Sequence, residues 1–382
     1  MTRARVGLLL ILIPASIALL VPPAPVGGQG LPSTPTAQAT LVAAPLLTLP
    51  GEVDSNSPAI WDVEDGQRRL YVMTSFAGAP NIAEGPSLDR LGKTVGIGFT
   101  GVPRAGVWME AVVSDEVDTW YGFYHNEVAA IACGRPDRAV ARIGAARSVD
   151  HGRSWRDLGI ILEAAADSVA CRSSNRYVIG GVGDLSVLLD STSTNLYIFF
   201  SQYQAQASAQ GVTVARLLWA DRDRPIGRVD VWQNGTWDPA RLRRIADSSR
   251  PSGQRLVWEY PVGSPLVAAA QAWHDNDSLV DAYWGPSVHW NQGIQQYVML
   301  LNRAKDENYT QDGVYISFAP RLDDPRWWSP PQKLLTGGKW YPQVIGLTEG
   351  QGTDKSASTV ARLFVSGRSE WFINFSRQVS LP

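Results

Sequence analysis

The stretch ARIGAARSVDHGRSWRDLGIIL, residues 141–162, reads as two short β-rich runs folded about a tight turn at SVDHGRSW, residues 148–155. Within that turn Asp150 can accept hydrogen bonds from turn amides, and Gly152 can take a positive φ at no steric cost. Trp155 is expected to pack beneath the turn. Hairpins of this kind build all-β chains, and the surrounding sequence repeats the theme.

A short run mixing Ser, Pro or Asp with apolar residues recurs as NSPAIWD (56–62), VWMEAVV (107–113), GDLSVLLD (183–190), GPSVHWN (285–291) and YPQVIGL (341–347). Each reads as the first strand of a unit. Tyrosine-containing strands follow four of them: RRLYVMTSF, DTWYGFYHNE, TNLYIFFSQY and QQYVMLLNRA; ARLFVSG fills that place in the fifth. Later runs, such as KTVGIGFTG and GVYISFAPRL, complete each sheet. Radially repeated sheets carry this kind of self-similarity, and irregular spacing points to long inserted loops. The expected fold is therefore a five-bladed β-propeller of four-stranded antiparallel blades around a central channel, spanning residues 47–382. The run LVAAPLLTLP or GEVDS could pair with WFINFSRQV to close the ring and hide an edge. Residues 239–245 are the one place where a turn or two of helix is expected.

Composition narrows the function. The formal charge is −2 with neither sign in long runs, which argues against nucleic acid as a partner. Fifteen Trp and twelve Tyr outnumber nine Phe, and such rings serve either to stack on sugars or to fill the space between sheets. Arg3 and Arg5 precede an apolar run at residues 6–21 that is short for a membrane span and broken by Pro14. Residues 1–30 are therefore read as a signal peptide, with cleavage near Gly30 or after Ala39, or else as an N-terminal anchor. Residues 31–46 read as a flexible linker. A secreted or otherwise extracytoplasmic protein is expected, membrane-associated only if the leader is retained, and monomeric. In an oxidising compartment Cys133 and Cys171, the two cysteines, are expected to pair as a disulfide, against the alternative of two buried thiols.

On its blade-like runs, and in particular NSPAIWD, GGVGDLSVLLDSTSTNLYIFF and YWGPSVHWN, the chain resembles the five-bladed β-propeller glycoside hydrolases. The nearest groups are the family 43 arabinanases and β-xylosidases and the neoagarobiose hydrolases. Its SVDHGRSW turn resembles the Asp box of sialidases. A sialidase is disfavoured, because that resemblance implies several such boxes, an arginine cluster and a tyrosine nucleophile. The propeller hydrolase resemblance implies acids from different blades meeting at one mouth of the channel, acting on a poly- or oligosaccharide.

Glycoside hydrolysis needs one group to protonate the leaving oxygen and another on the opposite face. Asp54, Glu110 and Asp184 lie beside first strands. The resemblance implies that Asp184 orients substrate and tunes the acid, and Asp54 is read as the base, although Ser57 rather than an aspartate directly precedes Pro58. The acid is either Glu110 or His289, since GPSVHWN places a histidine where the arabinanase pattern has a glutamate. His125 and Glu127 alternate onto one face of their strand, as a pocket pair or a structural one. Trp108, Trp284 and Trp290 are candidate sugar platforms or core residues. No cofactor is required; the resemblance allows a structural calcium in the channel, though no metal ligand is assigned from the sequence itself. The rival reading is a lectin-like propeller or pseudoenzyme that binds glycans without turnover.

Overall fold

The computed structural model describes residues 37–101, 106–165, 168–269, 282–306 and 308–377. Residues 1–36, with the signal or anchor segment and the start of the linker, lie outside them. The described residues are almost entirely β, with only short 3-10 turns besides. No helix among them is long and apolar enough to cross a membrane.

The strands form antiparallel meanders. The first runs Ala59–Glu64, Gln67–Phe76, Ala79–Gly85 and Val95–Gly96. The second runs Val107–Ser114, Trp120–Ala130, Arg135–Ser148 and Ser154–Glu163, and the third Val178–Leu189, Asn195–Gln202, Gly211–Leu218, Val229–Gln233 and Thr236–Pro239. The fourth consists of Ala282–Asn291, Gln296–Ala304, Gln311–Ala319 and Gln332–Thr336. The fifth consists of Pro342–Gly346, Val360–Val365 and Arg368–Arg377, completed by Ala37–Thr48 from the other end of the chain.

That last pairing corrects the linker boundary. Leu41 lies opposite Ile373 and Ala39 opposite Phe375, so residues 37–46 are strand rather than linker. Buried Ala37 and half-buried Ala39 and Leu41 alternate with exposed residues, and Pro45 is tolerated because the register breaks between Ala43 and Leu47. A cut after Ala39 would remove paired strand; one near Gly30 would not. A second correction concerns Arg241–Ala246, which forms an exposed hairpin with Gln254–Glu259 instead of a helical turn. The closing turn carries Pro251 and Gly253, the latter at φ +65, and Arg250 N–H bonds the Asp247 carbonyl within it.

Hydrophobic packing links the meanders in succession. Met73 and Ile82 of the first meet Met109, Trp120 and Trp155 of the second, while Phe123 and Ile143 of the second meet Leu185 and Ile198 of the third. Phe199 and Val214 of the third pack with Val288 and Met299 of the fourth, whose Leu300 and Ile316 pack with Leu363 and Ile373 of the fifth. Ile345 and Phe364 of the fifth then pack with Leu70 and Val72 of the first.

The turn at residues 148–155 follows its sequence logic. Ser148 Oγ accepts from Gly152 N–H at 3.0 Å, Asp150 Oδ1 from Ser154 N–H at 2.9 Å, and Trp155 Nε1 donates to the Gly152 carbonyl at 2.8 Å. Gly152 has φ +80, and a Cβ there would approach Met73 Cε to 2.4 Å, so its size matters as much as its backbone freedom. Cys133 and Cys171 are joined as a disulfide.

Candidate functional site

The first strands of the meanders are held together by side chains that bond a neighbour's backbone. Asn56 Nδ2 donates to the carbonyls of Leu185 and Pro286, both at 2.8 Å, Ser57 N–H donates to Gln343 Oε1, and Val288 N–H donates to Ser186 Oγ. At one level of these strands the ladders break. Register shifts fall between Met109 and Ala111, between Gly183 and Leu185, and between Trp284 and Ser287. A bulge re-aims the side chain it carries, and here the displaced residues include Glu110 and Asp184.

Asp184 adopts φ +41, a left-handed conformation that a non-glycine residue needs support to keep. The support is visible. Its N–H donates to His125 Nδ1 at 3.0 Å, and the next N–H, that of Leu185, donates to Glu110 Oε2 at 2.6 Å. Its carboxylate accepts from the Tyr203 hydroxyl and, at 3.4 Å, from the Tyr341 hydroxyl. Glu110 and His125 thus hold the bulge, and the bulge presents Asp184.

Asp184 faces a cavity of about 90 Å³ whose walls include Asp54, Glu127 and His125 with Trp108, Tyr177, Tyr203, Trp284, Tyr309, Trp340 and Tyr341. A wider cavity of about 420 Å³ shares Asp54, Tyr309, Trp340 and Tyr341 with it. His125 Nε2 lies 3.5 Å from Glu127 Oε1, as their alternation along one strand requires. The aromatic wall is braced edge to face, Trp284 lying 4.9 Å from Tyr309 and 5.7 Å from both Trp340 and Tyr341. Tyr309 and Tyr341, like Asp184, sit at positive φ.

No family model and no curated protein matches this sequence. Solved structures do resemble it. An endo-arabinase from Bacteroides thetaiotaomicron VPI-5482 aligns at 10% identity over 88% of this chain and 98% of its own, with a TM-score of 0.47. An α-L-arabinanase from Penicillium chrysogenum aligns at 13% identity over 88% and 85%, with a TM-score of 0.45. A GH43_1 enzyme from Xanthomonas citri aligns at 15% identity over 88% and 91%, with a TM-score of 0.44. What this site can do rests on its own residues.

Its electrostatics are dominated by crowded acids. Burial, then the charges of Asp184 and Glu127, raise Asp54 from the ordinary aspartate value of 3.8 to about 6. Glu110 is fully buried, and burial followed by the charge of Asp184 pushes it well above the ordinary glutamate value. For His125 burial opposes the charged form, but the carboxylates of Asp184 and Glu127 outweigh it and raise its pKa well above the usual value. An imidazolium would carry hydrogen on both nitrogens, whereas Nδ1 here accepts the Asp184 N–H. In this geometry Nδ1 acts as an acceptor, and a hydrogen there requires the Asp184 amide to give way.

The sequence candidates separate accordingly. Asp54, Asp184, His125, Glu127, Trp108 and Trp284 line the inner cavity. Glu110 lies behind it as the support for Leu185, so its reading as a group facing the channel is corrected. His289 is not in the cavity wall. Its ring is buried edge-on against Phe375, and burial, with a smaller push from Lys355, depresses its pKa to about 3, so it stays neutral. Trp290 packs on Tyr297 at the other end of the same strand, beside a separate groove, and leaves the list of cavity platforms. Five aromatic wall residues went unread: Tyr177, Tyr203, Tyr309, Trp340 and Tyr341. Tyr203 and Tyr341 do abut first- or second-strand runs; Tyr177, Tyr309 and Trp340 arrive from loops that carry no motif.

Calcium finds a poor home here. Glu110, His125 and Asp184 each place a ligand atom within 4.8 Å of the others. Two main-chain N–H groups already point at His125 Nδ1 and Glu110 Oε2, and one nitrogen with a few carboxylate oxygens falls short of the roughly six to eight oxygens calcium takes.

Proposed function

We propose that the meanders are five blades of a β-propeller and that the aromatic cavity at one end of its axis hydrolyses glycosidic bonds. The successive packing of each meander on the next, from the first round to the fifth and back, supports the ring. The observation that carries the chemistry is the convergence of Asp54, Glu127 and Asp184, from three different meanders or their lead-ins, on one aromatic-walled cavity.

In this reading Glu127 protonates the leaving oxygen as the C–O bond breaks. Asp54 takes the proton of a water whose oxygen bonds the anomeric carbon. Glu127 replaces Glu110 and His289 as the acid because it lines the cavity, whereas they do not. Asp184, fixed by its two tyrosines, orients the sugar, and its charge adds to the burial that raises Asp54. The half-buried rings of Trp108 and Trp340 offer stacking faces. The disulfide suits an extracytoplasmic location, and the apolar run at residues 6–21 would direct export.

The purified chain should release reducing ends from some member of a poly- and oligosaccharide library. Asp54→Asn and Glu127→Gln should each abolish that release while leaving the circular dichroism spectrum unchanged. Full activity in both variants would overturn the assignment. A lectin-like role is the second reading, favoured by Gly285 and Pro286 at the fourth-meander bulge, where the fold could have supplied another acid. Saturable glycan binding without any turnover would establish it instead.

A further inference from the structure

Resting on the saccharide reading of this cavity, we infer that its ligand carries a positively charged nitrogen, so that the sugar bound is a free-amine aminosugar rather than a neutral one. Three carboxyl groups, those of Asp54, Glu127 and Asp184, face a space walled by aromatic rings against a single imidazole, that of His125, and no lysine or arginine is among the described residues lining it. Lys339 reaches only the rim of the wider outer cavity, where it is exposed. A neutral sugar leaves the excess of acids over this one imidazole unmatched. An ammonium group is drawn both to the carboxylates and to the ring faces, which are negative above their planes.

A second observation makes this a ligand site rather than a cluster of acids. The indole Nε1 of Trp284 belongs to a side chain only 2% exposed, lines the cavity and has no hydrogen-bond partner. A buried donor without an acceptor is costly, so it fits a ligand oxygen placed beside it. A hydroxyl and an ammonium on one small ring satisfy Trp284 and the carboxylates together, which a simple alkylammonium does not.

Calorimetric titration of the intact chain at about pH 6.5, below the ordinary amine range, tests this with three probes: the β-1,4 disaccharide of glucosamine, that of glucose, and tetramethylammonium. The expected result is at least about tenfold tighter binding of the glucosamine disaccharide than of the glucose one, a modest value for a cation held on ring faces and carboxylates. Asp54→Asn should shrink that ratio, and because the ratio compares two ligands on one protein, partial loss of folded material does not mimic the effect. Equal binding of the two disaccharides overturns the inference and leaves the hydrolase reading intact. Binding of tetramethylammonium without either disaccharide supports the charge preference and removes the saccharide reading on which the sugar assignment rests. Failure of all three probes overturns the inference.

Discussion

The first strands of the meanders have two ends, and the ends differ in kind. At the Asp184 end, ladders bulge, three wall residues sit at positive φ, and a cavity of only about 90 Å³ gathers carboxyl groups with no lysine or arginine among the described residues lining it. At the Trp290 end a groove of about 1380 Å³ opens, lined by Trp61, Arg68, Asp190, Tyr197, Arg321 and Lys355 among others. Two of its cations are paired locally, Lys355 with Asp354 at 2.7 Å and Arg321 with Asp323. Size and chemistry point in opposite directions. Backbone strain and uncompensated charge are costly and persist where surrounding contacts impose them, whereas paired surface charges in a wide groove need no such support.

The sharpest way to break that contrast is to change one group at each end. Asp54→Asn should lower kcat by roughly 100- to 10,000-fold on any glycan the chain cleaves, the range expected for loss of a general base. Trp290→Ala should leave kcat within about twofold, as for a residue outside the reacting geometry. The acid limb of the pH profile of kcat/KM should have its midpoint near the Asp54 value of about 6, because the base must be ionised to act. Stability moves oppositely: the folded state holds this proton more tightly than the unfolded chain, so Asp54 destabilises the fold as pH rises from the ordinary value of 3.8 through about 6. A stability curve for Asp54→Asn that keeps the same slope across that window would remove Asp54 as its source.

The next effect tests what shapes the pocket end. The disulfide ties the turn after Trp120–Ala130 to the loop that leads to Tyr177 and Val178 in the cavity wall. Replacing both cysteines by serine should cost about 2–4 kcal/mol in denaturant unfolding. It should also raise KM more than it lowers kcat, since Tyr177 belongs to the wall and not to the reacting pair. Glu110→Ala comes below that, at about 1–3 kcal/mol, because it leaves the buried Leu185 N–H without an acceptor. If the Asp184 bulge depends on it, kcat falls as well; Ser186→Ala, which removes the acceptor of the Val288 N–H and of Lys355 Nζ but touches neither Glu110 nor Asp184, should cost stability without that loss.

Much of the fold was legible because strands announce themselves locally. The five first-strand runs and the tyrosine strands after them follow from alternation and turn residues, whereas the strand that pairs with the C-terminal one begins at Ala37, inside the run read as linker. What failed had no local signal. A strand reading gives the face of Glu110 but not the bulge that turns it behind Asp184. His289 and Trp290 lie on a first strand, as expected, yet several residues beyond the level where the cavity sits. Tyr309 and Trp340 reach the wall through loop contacts between distant residues, Trp340 Nε1 donating to the Tyr309 carbonyl at 2.8 Å. Proximity of that kind is a property of the assembled fold and not of any window of sequence.

The smallest effect belongs to the turn at residues 148–155, and it separates structural from chemical use of the same residue types. Asp150 resembles a pocket acid in isolation, being an aspartate beside a histidine and near tryptophans. Its oxygens, however, are spent on Ser148 Oγ, Ser154 N–H and Ser154 Oγ, and Trp155 is buried between the first and second meanders. Ser148→Ala removes the acceptor of the Gly152 N–H and one partner of Asp150, a loss of about 1 kcal/mol for a hydrogen bond of this class. Thermal unfolding should register that loss, while kcat, KM and the pH midpoint of the pocket stay where they are. A change in the pH midpoint would mean that the turn communicates with Asp54, and the division between hairpin chemistry and pocket chemistry would have to be redrawn.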